Sequence, residues 1–254
     1  MRHRPLLRTA CALAVSTLAL GAQAKEIRCN IESDYDLTIN DRSVIFTRES
    51  GSPKAIVMRQ GRLFVEDRWV ELTPEDARRL EEFEQGARAA MPLAHEIGRD
   101  AADIAFTALG EVASYLSNHP DKTRRKLDKA RKAIDQSIGQ AISANRFNSE
   151  DLERGIERAV EDVVPSVVGD IVGGALTAAL SGDTQRLERM ENLDKEIEAR
   201  VAGRAKALEA RAEKLCSQMR DLEKLDSALA YRLPGGGALD LLREQPDQSH
   251  TTAD

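Results

Sequence analysis

The sequence predicts an α+β protein: a small N-terminal antiparallel β-meander followed by a mainly α-helical bundle with a long C-terminal helix. Three observations lead there. Between Ile27 and Leu72, short runs rich in β-branched and aromatic residues alternate with a period near two. From Thr73 onward the period becomes helical and turn formers grow scarce. Toward the C-terminus, apolar residues recur at alternating spacings of three and four on a highly charged background, the pattern of a narrow helical seam.

The first element is a leader. "MRHRPLLR" is a positive start, "ACALAVSTLALG" is an apolar run too short to span a bilayer, and Ala22-Gln23-Ala24 is a small-x-small cleavage pattern. A lipidated leader would place its cysteine after the apolar run, whereas Cys11 precedes most of it. Residues 1–24 therefore read as a cleavable signal peptide, and the expected location is the periplasm. Cleavage removes Arg2, Arg4 and Arg8 and no acid, so the 37 basic residues become 34 against 43 acidic ones, a net charge of −9. That balance disfavours nucleic acid as a partner. Two cysteines remain, Cys29 and Cys216, and an oxidising compartment favours one bridge between them over two separate buried thiols.

The sheet follows as residues 25–73. "YDLTI", "SVIFT", "AIVMR", "RLFVE" and "RWVEL" are separated by Asn40-Asp41, Gly51-Ser52-Pro53, Gln60-Gly61 and Glu66-Asp67. Connections so short allow only antiparallel neighbours, which predicts four or five strands. Leu37, Ile39 and Phe64 are expected on the face that packs on the rest of the protein.

Thr73 then serves as an N-cap, with Pro74 at the first helical position and Glu75 and Asp76 at the positive end of the dipole. The bundle is expected over 74–232, with helices at Pro74 to Ala90, Pro92 to Leu116, Pro120 to Ala144, Glu150 to Leu180 and Thr184 to about Tyr231. The breaks fall at Met91-Pro92, Asn118 to Pro120, Asn145 to Asn148 and Ser181-Gly182, with a disturbance at Pro165. The remainder, 233–254, carries "PGGG" and "EQPDQSHTTAD" and reads as a disordered tail.

"GRLFVEDRWVELTPEDARRLEEFEQGARAAMP", Gly61 to Pro92, resembles the signature of the YggN-like periplasmic proteins, a domain-of-unknown-function family: a hairpin, a threonine-led helix and a helix-ending proline. The leader, the early Cys29 and the late Cys216 fit the same pattern. The resemblance implies an envelope location and supplies no catalytic residue.

Two helical stretches carry the candidate interaction features. In the last helix Leu187, Met190, Ile197, Val201, Ala205, Leu208, Ala212, Leu215, Met219, Leu222 and Leu229 form the seam, suited to an intramolecular bundle, a homodimeric coiled coil or a partner-binding arm. "VVPSVVGDIVGGALTAAL", Val163 to Leu180, is an apolar island. Pro165 and a mid-span Asp170 argue against a transmembrane segment, while Gly169 and Gly173 at GxxxG spacing let another helix approach closely. Lys122, Arg125, Lys126 and Lys129 form a cationic strip, either a solvated face or a contact for anionic membrane surfaces.

Catalytic chemistry is sparse. "HEIGR" from His95 places Arg99 where a zinc-protease motif needs its second histidine, and Asp34, Asp36 and Asp41 lack the spacing of a calcium loop. No GxSxG, phosphate-binding glycine loop or CxxC occurs, so no cofactor and no metal are expected. The favoured reading is a non-enzymatic envelope protein, monomer or homodimer, that binds a partner protein or an anionic membrane surface. The alternatives are a hydrolase acting on peptidoglycan or glycan through carboxylates assembled by folding, and a carrier of a small apolar ligand.

Overall fold

A computed structural model describes residues 29–143, 145–182 and 192–245. The expected leader, Leu187 and Met190, and residues 246–254 lie outside them. The chain order is β1 (Ile31–Glu32), β2 (Asp36–Ile39), β3 (Val44–Thr47), β4 (Ala55–Arg59), β5 (Arg62–Val65) and β6 (Arg68–Val70). There follow α1 (Pro74–Leu116), α2 (Pro120–Ala141), β7 (Ile142–Ser143), β8 (Arg146–Asn148), α3 (Ser149–Ser181), α4 (Leu193–Ser227) and β9 (Arg243–Glu244). The fold is α+β, as the periodicity predicts.

The meander is antiparallel but larger than the N-terminal segment alone. Its order is β6-β5-β4-β3-β2-β8-β7, so the hairpin between α2 and α3 adds two strands beside β2. Leu37 pairs with Phe46, and Ile39 with Val44, which puts all four on one face. That face continues through Ile56, Met58, Leu63 and Val65 and is buried. Phe64 corrects the expected face. It pairs with Val57 and packs edge-on against Trp69, at 4.5 Å between ring centroids, on the other side of the sheet.

The inner face rests on α1. Thr73 caps the helix, accepting from the Asp76 amide at 3.1 Å, and Pro74 opens it. Leu80, Phe83, Ala87, Ala90 and Met91 are the buried residues that meet the sheet core. The expected break at Pro92 does not occur, and α1 runs 43 residues without interruption. Proline removes one backbone hydrogen bond, but the helix is clamped on both sides of it, by the sheet before and by α2 and α4 after. The same holds at Pro165 inside α3.

Helix α4 lies antiparallel along α1. Arg211 meets Asp100 and Glu96, Arg204 meets Asp103 and Arg200 meets Glu111, in descending order along α4 and ascending along α1. Part of the predicted seam packs here: Leu215 and Leu222 are partly or fully buried, Leu229 just beyond the helix is buried too, and Ala205 is exposed. The two helices pack closely at Gly86, where an added Cβ would sit 2.8 Å from Leu222.

The segment 233–245 corrects the expectation of disorder. Leu239, Leu241 and Leu242 are buried, and β9 pairs with β1. The glycine run is a turn: the Leu233 amide donates to Gly237 O, the Gly236 amide donates to Leu233 O, and Gly236 has φ +84°. Composition conceals this because three leucines suffice once a turn returns them to the core. Buried carboxylates fasten the returning chain. Asp226 Oδ2 accepts from the amides of Leu241 and Leu242 at 2.7 and 3.0 Å, and Asp76 accepts from those of Ala230 and Tyr231. Cys216 bonds to Cys29, with their Cα atoms 5.4 Å apart.

Candidate functional site

Helix α3 begins at Asn148, whose side chain accepts from the Asp151 amide at 2.8 Å, and ends at Gly182 in the left-handed region. Its inner side packs on α2 and α1. Ala159, Val167, Gly174 and Ala178 are buried there. An added Cβ at Gly155 would meet Ser137 Cβ at 2.6 Å, and one at Gly174 would overlap Leu116 O. Only glycine lets α3 cross the α1–α2 corner this closely.

Asp170 faces the same corner, four residues before Gly174. Its carboxylate accepts from Ser117 Oγ and Thr123 Oγ1, and His119 Nδ1 lies 3.2 Å away. These hydrogen bonds, Ser117's foremost, hold the Asp170 carboxyl below its ordinary range. The residue types suggest a catalytic triad, but the geometry does not. In a triad the histidine sits between hydroxyl and carboxylate. Here the carboxylate is the shared acceptor, and the group ties α3 to the start of α2 as a clamp.

The outer side of α3 is different. Ile156, Val160, Val164, Val168, Val172, Leu176 and Leu180 recur every four residues and are exposed, from 36% at Ile156 to 88% at Leu180. Asp170 is the only charged residue between Val163 and Gly182, and it points inward. The apolar island is thus half core and half naked surface. By length and composition α3 is the one described helix able to cross a bilayer, with a mean hydropathy of 1.7 over its most apolar 18 residues.

Gly169 and Gly173 lie on this outer side. An added Cβ at Gly169 would meet nothing within 4 Å, and one at Gly173 only Asn118 Nδ2 at 3.9 Å. The cationic strip runs beside it. Lys122, Arg125 and Lys129 are exposed on α2 and Lys126 is partly so. Lys126 and Lys129 share with Ala133, Ala159, Val163 and Ser166 a groove of about 310 Å³ between α2 and α3.

Further hollows lie on the sheet. A groove of about 620 Å³ runs between Pro53, Val65, Val70 and the returning residues Tyr231, Leu233 and Pro234. A polar cleft of about 520 Å³ is lined by Asp41, Arg42, Arg59, Gln60, Glu84 and Arg88. It does hold two carboxylates, as a hydrolase would need. Glu84, however, is buried and accepts from the Gly61 amide at 3.0 Å, and three guanidinium groups line the same cleft. That charge suits an anion better than an acid and base pair. Among the described residues no group of three His, Cys, Asp or Glu side chains is placed to hold a metal ion.

Sequence reasoning reached the disulfide pair. It missed the Asp170 clamp, whose partners Ser117 and Thr123 are about fifty residues away, and the returning C-terminal leucines.

A protein of long helices packed on an antiparallel sheet, its chain ends tied by a disulfide and the β1–β9 pair, with an apolar helix face exposed, is the class these features define. Residues 29–242 match the family model described as Protein of unknown function (DUF2884), and the chain belongs to that family. A search of curated proteins found no match, and neither did a search of solved structures.

Proposed function

We propose that this is a non-enzymatic binding or scaffolding protein of the cell envelope, exported by its leader to the periplasm and acting through its helices. The observation that carries the reading is the exposed apolar side of α3, from Ile156 to Leu180, in a chain of which 31% of residues are charged. Exposed apolar patches of several hundred Å² on soluble proteins commonly mark interaction sites. Water does not favour such a face, so its presence at the surface suits contact with protein or lipid.

The flanking Lys122, Arg125, Lys126 and Lys129 extend the reading to anionic head groups, because basic residues beside an apolar face are what a membrane surface attracts. The test is sedimentation of the protein purified from the envelope, with and without vesicles of anionic or neutral lipid. Co-sedimentation that fades with salt and is lost in a Lys122→Glu/Lys126→Glu/Lys129→Glu variant supports a membrane-surface role. Binding to an envelope protein that is lost in Val168→Asp/Val172→Asp supports a protein partner. A chain that self-associates through that face also fits the reading. A chain that binds no vesicle, envelope protein or second copy through either face overturns it.

A further inference from the structure

We infer that the outer face of α3 pairs with the same face of a second copy, forming a two-fold symmetric dimer in which the two helices cross at the paired glycines. This rests on the reading of α3 as a binding face and names its partner.

The first argument is shape. Val164, Val168, Val172 and Leu176 form a ridge with a spacing of four, and Gly169 and Gly173 form a shallow row one residue on. Ridge and groove lie side by side on one helix. A two-fold axis therefore sets each ridge in the other copy's groove, the isologous contact that a symmetric dimer requires. Rows of spacing four that interdigitate cross at about −50°, and glycines in the groove bring the backbones closer still.

The second argument is what the glycines do not do. Gly86, Gly155 and Gly174 are each explained by a neighbour in the same chain that a Cβ would strike. Gly169 and Gly173 have no such neighbour, though glycine is a poor helix former. Gly110, Gly139 and Gly203 are open in the same way, and what sets Gly169 and Gly173 apart is their place beside the exposed ridge, where a second helix can use their smallness.

The third argument is area and charge. The four side chains of the ridge, Val164 to Leu176, present on the order of 300 Å² of surface, against roughly 800 Å² per partner in a standard interface, which suits a weak dimer. The protein carries a net charge of −6, so two copies repel over most of their surface. From Val163 to Ser181 the outer side of α3 carries no charge, and there they can meet without that cost.

The experiment is sedimentation equilibrium of the purified protein over a concentration series to about 100 µM, a modest demand for a patch of this size. A monomer–dimer equilibrium is expected, weakened at least tenfold by Gly169→Leu/Gly173→Leu and by Val168→Asp. Unchanged helicity and thermal midpoint in dilute solution show that each variant is folded, as these exposed positions allow. Val172→Cys, at the centre of the ridge, is expected to cross-link to its own copy under mild oxidation.

A protein that stays monomeric at the top concentration overturns the inference, as does a dimer indifferent to the glycine and valine variants. A monomer that nevertheless binds neutral or anionic vesicles through Val168 and Val172 overturns the dimer while leaving α3 a binding face. A monomer whose Val168→Asp/Val172→Asp variant keeps all its envelope associations overturns the dimer and the α3 reading together.

Discussion

At the scale of single residues, identical amino acids in α3 do opposite work. Gly174 and Gly169 are five residues apart, yet one touches Leu116 O and the other nothing. Gly174→Ala is expected to destabilise the protein by more than about 3 kcal/mol, because its methyl would have to displace backbone. Gly169→Ala is expected to stabilise the dilute protein by up to about 1 kcal/mol through helix propensity alone. Urea midpoints of the two variants check both signs. The sequence shows both glycines and cannot tell them apart, since the difference lies in a corner fifty residues away.

Asp226 supplies a second residue-level outcome. Burial raises its carboxyl to about 7 from the ordinary 3.8, with the amides of Leu242 and Leu241 pulling the other way. The folded protein then holds a proton that the unfolded chain releases between those values. The stability linked to it is complete below about pH 4 and is lost as the pH rises through 7. The urea midpoint of the native protein should fall from pH 5 to pH 8, and Asp226→Asn should shrink that fall. An equal fall in both proteins would exclude Asp226 as its source.

Asp170 has the opposite sign. Its carboxyl is held below the usual range, so its contribution is full above the ordinary carboxylate value, begins to shrink beneath it and is lost as the pH falls through the lowered folded value. Asp170→Ala should lower the thermal midpoint at pH 7, and by less at pH 3. A gap of the same size at both pH values would argue against the clamp.

At the scale of elements, local pattern is a good guide where one face is buried and the other is wet. Strands β2 to β6 fall within the five predicted runs, because alternation and turn residues agree. The assignment of Phe64 slipped because Val57 and Trp69 give the outer face an apolar cluster of its own, so hydrophobicity alone does not mark the inside. The returning segment shows the converse. Leu241 is 1% exposed within a stretch too short and glycine-rich to look folded. Leu241→Ala is expected to cost about 2–5 kcal/mol in denaturant titration, a core-sized loss from a residue that composition assigns to a tail.

At the scale of the whole molecule, the ends are tied together. Cys29 and Cys216 are separated by 187 positions, and their bridge joins the start of the sheet to α4, while β9 pairs with β1 beside it. Closing so long a loop restricts the unfolded chain, and Cys29→Ser/Cys216→Ser is expected to lower stability by about 2–4 kcal/mol with little change in helicity. An unaltered urea midpoint would mean that the β1–β9 pairing alone holds the ends.

The sequence by itself determined the α+β class, strands β2 to β6, the capped start of α1 and the two cysteines. Each is written in neighbouring residues or in a repeat. Only the tertiary structure decided that Pro92 and Pro165 stay within helices, that Asp170 is a clamp, and that 233–245 returns to the core. It alone showed which side of α3 is left bare. Those outcomes depend on contacts between distant segments, where packing energy overrides local preference and a residue's partner lies tens of positions away.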